Sequence, residues 1–162
     1  MRDSLGSGGV RNPDHQVKVQ LTGPDGEVET LWAFPLGDDL YELDNTPWYA
    51  YGVSWHDVIE ARATEADGFP EFVRVVRKSG YRTLRLILDP PADKNANSQA
   101  ILDRLTQFGC SYEGANPGYI SIDIPPPVDL GQVAQFLTTT EQRWEHADPP
   151  YEELHPNDAP AA

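Results

Sequence analysis

The chain is poor in cysteine, in basic residues and in long apolar runs. A single cysteine, Cys110, among 162 residues excludes an internal disulfide framework and any Cys-based zinc site. Twelve Lys and Arg face twenty-six Asp and Glu, a formal net charge of -14 at pH 7. Such a chain lacks the basic surface that binding to free nucleic acid demands. No stretch approaches about 20 consecutive apolar residues, so no segment reads as a transmembrane helix. Met1 to Gly9 contains no apolar core of a secretory signal, which together with the lone thiol points to a cytoplasmic protein. Neither a Gly-x-Gly-x-x-Gly nor a Gly-x-x-x-x-Gly-Lys run occurs, so no nucleotide cofactor is indicated. The four histidines, His15, His56, His146 and His155, form no His-x-x-x-His pair, and no metal is assigned.

What is present suffices for a core. Apolar residues make up 39% of the chain and aromatics 10%, at a length that suits one domain or two small modules. Residues 1–15, rich in Gly, Ser, Asp and Asn, and residues 148–162, rich in Pro and acid, read as disordered tails around a folded body of 16–147. Val17, Val19 and Leu21 alternate with Lys18 and Gln20 in a half-buried strand, ended by Gly23-Pro24-Asp25-Gly26. Val28 to Phe34 reads as its hairpin return, followed by strands at Leu40–Leu43, Trp48–Tyr51 and Asp57–Ala63. Phe72–Arg77 and Tyr81–Leu88 flank Lys78-Ser79-Gly80, a tight connection between two strands. Short strands at this spacing predict a small antiparallel β-barrel or curled sheet over 16–88.

The period then changes. Asn97 or Ser98 caps a helix with Ile101, Leu102, Leu105 and Phe108 on one face, closed by Gly109. In Tyr119–Ile124, Ile120, Ile122 and Ile124 face inward while Ser121 and Asp123 face out. Asp129 caps a second helix bearing Leu130, Val133, Ala134 and Leu137. This order predicts a ferredoxin-like α/β half over 89–147, and with the β-rich half an α+β fold, the 81–88 strand serving both halves.

The densest chemistry lies between Asp44 and Asp57, which enclose Trp48, Tyr49, Tyr51, Trp55 and His56. Exposed Trp and Tyr anchor partners by burying large area at low entropic cost. The same residues also fit the two faces of one strand after an Asp44–Asn45 turn. Four large aromatics overfill so small a domain, so one or two should line a surface groove. Ser54, His56 and Asp57 are too close in sequence to form a hydrolytic triad, and no Gly-x-Ser-x-Gly elbow exists. Asp57 reads instead as an acceptor for backbone donors in its loop. Arg74, Arg77, Lys78, Arg82 and Arg85 crowd residues 74–85. A hairpin there sets Arg77 or Lys78 with Arg82 on one exposed face, either as a carboxylate or phosphate site or as ion-pair partners for the 38–44 acids, Asp57 and Glu60. Cys110 reads as a small packing residue rather than a nucleophile.

The segments Leu40–Trp48, Tyr51–Ala61, Arg77–Arg85 and Leu105–Cys110 give the chain a resemblance to a bacterial family catalogued only as a domain of unknown function. The Asp44-Asn45-Thr46-Pro47-Trp48 and Ser79-Gly80-Tyr81-Arg82-Thr83-Leu84-Arg85 runs carry it most specifically, and it covers roughly residues 16–145. The chain departs from the pattern at His56, where the family favours a small residue, often Gly, before the Asp. The resemblance implies a fold but no activity. The C-terminal half also looks loosely like the ferredoxin-like fold of protein inhibitors of ribonuclease E, a likeness of fold alone.

Together these features predict a non-catalytic acidic binding protein for a basic protein or peptide: immunity- or inhibitor-like, regulatory, or a peptide-holding accessory protein. Trp48, Tyr49, Tyr51, Trp55, His56, Arg77 and Arg82 are the expected binding residues, with no cofactor, no free nucleic acid and no membrane as partner. The alternative is a small enzyme or anion sensor using Asp44, His56, Asp57 and the Arg77/Arg82 patch.

Overall fold

Alternation of apolar and polar residues writes the first hairpin. The structure, a computed structural model, describes residues 14–157, and the expected N-terminal tail up to residue 13 lies outside them. Val17–Thr22 (β1) pairs antiparallel with Val28–Gly37 (β2). The turn between them closes with the Gly26 N–H donating to the Gly23 carbonyl at 3.0 Å, and its left-handed φ of 88° is one that glycine adopts without strain. Leu40–Leu43 (β3), Val58–Arg62 (β4) and Glu71–Arg77 (β5) follow, each antiparallel to the strand before it. A parallel pairing of Gln20 with Glu71 joins β5 to β1, so the five strands form a closed barrel. Its interior holds Val19, Leu21, Leu31, Leu43, Val53 and Ile59.

The expected strand Trp48–Tyr51 is instead irregular loop. The N–H groups of Trp48, Tyr49 and Ala50 all donate to the carboxylate of Glu29, at 2.7, 2.9 and 2.9 Å. Successive amides of a strand point to opposite sides, so three converging on one acceptor cannot lie in a ladder.

The chain divides into two compact units between Ser79 and Gly80. In the second, Arg82–Ile87 (β6), Ala96–Phe108 (α1), Ser111–Asn116 (β7), Tyr119–Ile124 (β8), Leu130–Thr139 (α2) and Arg143–Asp148 (β9) follow in order. They build a four-stranded sheet, β7-β8-β6-β9, with every neighbouring pair antiparallel. Leu84, Leu86, Ile120 and Ile122 pack with Leu102, Leu105, Val133 and Leu137 in one core.

Strand 81–88, read from the sequence as part of the β-rich half, therefore runs as Arg82–Ile87 within the second sheet, and the boundary lies at Ser79–Gly80 rather than 88. Lys78-Ser79-Gly80 accordingly links two sheets and makes no hairpin. Helix α1 is capped by Asn95, whose side chain accepts the Ser98 N–H at 3.1 Å. Ser98 does not serve as that acceptor, because its hydroxyl donates to the Pro90 carbonyl at 2.6 Å. Gly109, at φ 101°, closes α1, and Asp129 caps α2 through the Gln132 N–H. Ser121 and Asp123, expected to face out, are buried, on a strand flanked by β7 and β6. The expected tail after 148 is in part ordered: Pro150 precedes a single helical turn, Tyr151–Leu154 (α3), while 158–162 lie outside the described residues. Among the described residues no helix is long and apolar enough to cross a membrane.

Candidate functional site

The polar residues of the 44–57 loop are bound to the scaffold. Asp57 is fully buried, and its carboxylate accepts the Ser54 N–H at 2.9 Å, the Ser79 N–H at 2.8 Å and the Lys78 ammonium at 2.6 Å. The Asp44 carboxylate accepts from the Gln16 amide at 2.6 Å and the Trp55 indole N–H at 3.3 Å. Asn45 accepts the Trp32 backbone N–H at 2.7 Å, tying the loop to β2. His56 takes φ 69°, a left-handed backbone that glycine adopts freely, so the tight turn survives here with a bulkier residue. It closes through the Asp57 N–H to the Ser54 carbonyl. The His56 ring stacks on Trp55 at 4.3 Å and its Nδ1 lies 3.0 Å from Glu42. Asp44 and His56 thus both anchor Trp55, and Ser79 links that residue to Asp57 by donating its hydroxyl to the Trp55 carbonyl and its N–H to the Asp57 carboxylate. Of the aromatics in this loop, Tyr49 and Tyr51 are exposed, whereas Trp48 and Trp55 are half-buried.

The basic residues are mostly engaged too. Arg74 pairs with Glu60 at 2.9 Å, and Lys78 with Asp57. Arg82 donates to the carbonyls of Pro125 and Val128, each at 2.6 Å, which fastens the turn after β8. Arg85 is buried, with Glu145 3.6 Å away. Arg77 ends β5 and is exposed. Because β5 and β6 belong to different sheets, no hairpin sets Arg77 and Arg82 on a common face. Cys110 is buried, and its thiol is pushed up to about 11, chiefly by burial, with Asp123 adding to the rise and Arg82 opposing it. Among the described residues no three His, Cys, Asp or Glu side chains are grouped to hold a metal ion.

An apolar groove lies elsewhere on the barrel unit, joining outward-facing Lys18 and Trp32 to Tyr41, which packs against the barrel core. This groove of about 740 Å³ is lined by Lys18, Trp32, Pro35, Tyr41, Phe69 and Pro70. Val17 completes it. Trp32 is 44% exposed and Phe69 48%, values that mark a surface left for contact rather than a core edge. The Lys18 ammonium sits 5.0 Å from the centre of the Trp32 ring, a cation over an aromatic face. At one end, Pro35 pairs across to Tyr41, and the connecting turn carries Asp38 and Asp39, both left-handed at φ 57° and 63°. Burial, and then the neighbouring Asp39 carboxylate, raise the Tyr41 hydroxyl above its usual range, so it remains protonated and able to donate.

Sequence reasoning passed over this groove. Its signal was the parity of the first hairpin: with Leu31 and Ala33 inward, Trp32 must face out, directly opposite Lys18. Phe69, in a Gly-Phe-Pro connection, carries no periodic signal at all.

A family model for a domain of unknown function, DUF4265, matches residues 29–147, most of the chain. The chain belongs to the DUF4265 family. The DUF4265 span includes Trp32, Tyr41 and Phe69 of the groove, while Lys18 on β1 precedes it. No curated protein matches the sequence. A solved structure described as a novel crystal structure of a hypothetical protein from Neisseria gonorrhoeae is similar, with a TM-score of 0.68 at 14% identity, over 85% of this DUF4265 chain and 97% of that one. At that identity the likeness is one of fold.

Proposed function

We propose that this chain is a non-catalytic binding protein whose barrel receives a basic protein or peptide. The groove carries this reading: Trp32 and Phe69 hold out apolar rings, and Asp38 and Asp39 stand on the turn between Pro35 and Tyr41. Residues 14–79 hold thirteen acidic residues against five basic ones, a field that draws cationic partners. Tyr49 and Tyr51 add exposed aromatic surface from the loop. Asp44, His56 and Asp57 lend little support to an acid–base role, because each is held by structural hydrogen bonds. For the second unit we favour a ferredoxin-like reading, supported by its β-α-β-β-α-β order and the antiparallel sheet β9-β6-β8-β7. A single buried cysteine agrees with a cytoplasmic setting.

The test is a fluorescence titration with a labelled Lys/Arg/Leu decapeptide and a Glu/Leu counterpart of equal length. The basic peptide should bind, more weakly as salt rises, and the acidic one should not. Trp32→Ala should abolish most of the affinity. Equal binding of both peptides, or indifference to Trp32→Ala, overturns the reading.

A further inference from the structure

The chemistry of the groove narrows what kind of basic segment fits it. Its lining is largely aromatic and prolyl, and the lining residues that carry polar side-chain groups, Lys18, Tyr41 and Trp32, all carry donors. Among the described residues the Trp32 indole makes no hydrogen bond. The complementary ligand is therefore rich in acceptors, poor in donors and apolar on its contacting face.

An α-helix does not meet that description, since it satisfies its own carbonyls. A β-strand does not either, since its N–H groups need acceptors and the polar side chains of the lining residues are donors. A proline segment meets all three conditions. Each proline removes an N–H, its carbonyls stay unpaired in the extended left-handed polyproline helix, and its rings pack flat on aromatic faces. The acid at Asp38, and at Asp39, whose carboxylate beside Tyr41 also lies 3.9 Å from the exposed Arg62, then selects a basic residue at the end of that segment lying against the Tyr41 side of the groove.

We propose that the groove between Trp32, Tyr41 and Phe69 binds a proline-rich segment in the polyproline II conformation, flanked by an arginine or lysine set against Asp38 and Asp39. This rests on the basic-peptide reading above and adds the conformation and composition of the partner. The chain's own Pro-Pro runs do not fit, because Pro90-Pro91 stands between Asp89 and Asp93, Pro125 to Pro127 is followed by Asp129, and Pro149-Pro150 by Glu152 and Glu153.

Three labelled peptides of equal length and charge separate the possibilities when titrated against the full chain. They are an octaproline with two C-terminal arginines, a Gly/Ser octamer with the same arginines, and an amphipathic Leu/Ala helix with two arginines. The proline peptide should bind at least about tenfold more tightly than the Gly/Ser peptide, through its preformed helix and the donors it satisfies. Trp32→Phe, which keeps a ring and loses the indole N–H, should weaken it by about three- to tenfold, the effect of one hydrogen bond. Asp38→Asn with Asp39→Asn should weaken it and flatten its salt dependence. Phe69→Ala, at an exposed site, repeats the test where Trp32 variants alter the fold.

Equal binding of the proline and Gly/Ser peptides overturns the polyproline proposal while leaving the basic-peptide reading intact. Tighter binding of the helix does the same. If none binds, and the chain sediments as a dimer that Trp32→Ala dissociates, the groove is a self-interface and both readings fall.

Discussion

Replacing Asp57 with asparagine removes one oxygen from the most heavily used carboxylate of the barrel. Asp57 is fully buried and accepts two backbone N–H groups, from Ser54 and Ser79, and the Lys78 ammonium. Hydrogen bonds to a charged group contribute about 1.5–3 kcal/mol each, and a buried donor left unmatched costs about 1–3 kcal/mol. Asparagine retains one acceptor but turns its amide N–H2 toward one of the same donors. One bond is lost and one donor is left facing another. The Lys78 partner is 45% exposed, so its pairing adds less than about 1 kcal/mol. The expected loss is about 3–5 kcal/mol, the lost charge-assisted bond together with the unmatched buried donor. Urea denaturation followed by tryptophan fluorescence reads this directly, since Trp32, Trp48 and Trp55 all lie in the barrel unit. With a slope of about 1–3 kcal/mol per molar urea, the midpoint should fall by at least about 1 M. Lys78→Met, which leaves the two backbone bonds in place, should move it far less. A midpoint for Asp57→Asn within about 0.3 M of the parent, or a Lys78→Met loss as large, would refute the reasoning that Asp57 works as a backbone clamp.

Further outcomes follow from single residues. At pH 8, native Cys110 should alkylate with iodoacetamide over about a hundredfold more slowly than the urea-unfolded chain, because little of its thiol is ionised there; rapid native labelling contradicts this. His56→Gly should be about 1 kcal/mol more stable than His56→Ala by urea midpoint, since both lose the Glu42 and Trp55 contacts but only alanine keeps the left-handed strain. The reverse order would dismiss strain at that turn. His146 is held below its ordinary pKa of 6.5, first by burial and then by His155. The unfolded chain therefore takes up this proton before the folded one does, so the contribution is complete above about pH 6.5 and is lost as pH falls through that value. Parent and His146→Phe midpoints compared from pH 7.5 to 5 should show the steeper decline in the parent.

The fold was legible where side-chain period is strong. β1 and β2 lie where alternation puts them, α2 where its Asp129 cap does, and α1 ends at the Gly109 stop although it starts at Ala96, before the Asn97 or Ser98 cap read from the sequence. It was illegible where partners are distant in sequence. Nothing local in Arg82–Ile87 says whether it pairs with the strand before it or with Tyr119–Ile124, and the apolar demand of two helices decided for the latter. Ser111–Asn116 was missed because it is an edge strand exposed along most of its length, and Arg143–Asp148, the other edge, because its inward positions are Trp144 and His146 and its buried end is Ala147 and Asp148 rather than a run of aliphatic residues.

The site was misread for a related reason. A cluster of Asp, Asn, His and Trp within fourteen residues looks like chemistry in one dimension. An irregular loop of that length, however, carries many backbone N–H groups with no ladder to satisfy them, and buried amides must find acceptors. Glu29, Asn45 and Asp57 supply those acceptors, and Asp44 holds Gln16 and Trp55. The polar density of the loop is thus the requirement of its own irregularity. The opposite holds for the groove: regular strands satisfy their backbone internally, which leaves outward positions such as Lys18 and Trp32 free of structural duty. In a barrel of this kind, the residues best placed to meet a partner are those that look least remarkable in the sequence, the outward half of an ordinary alternation.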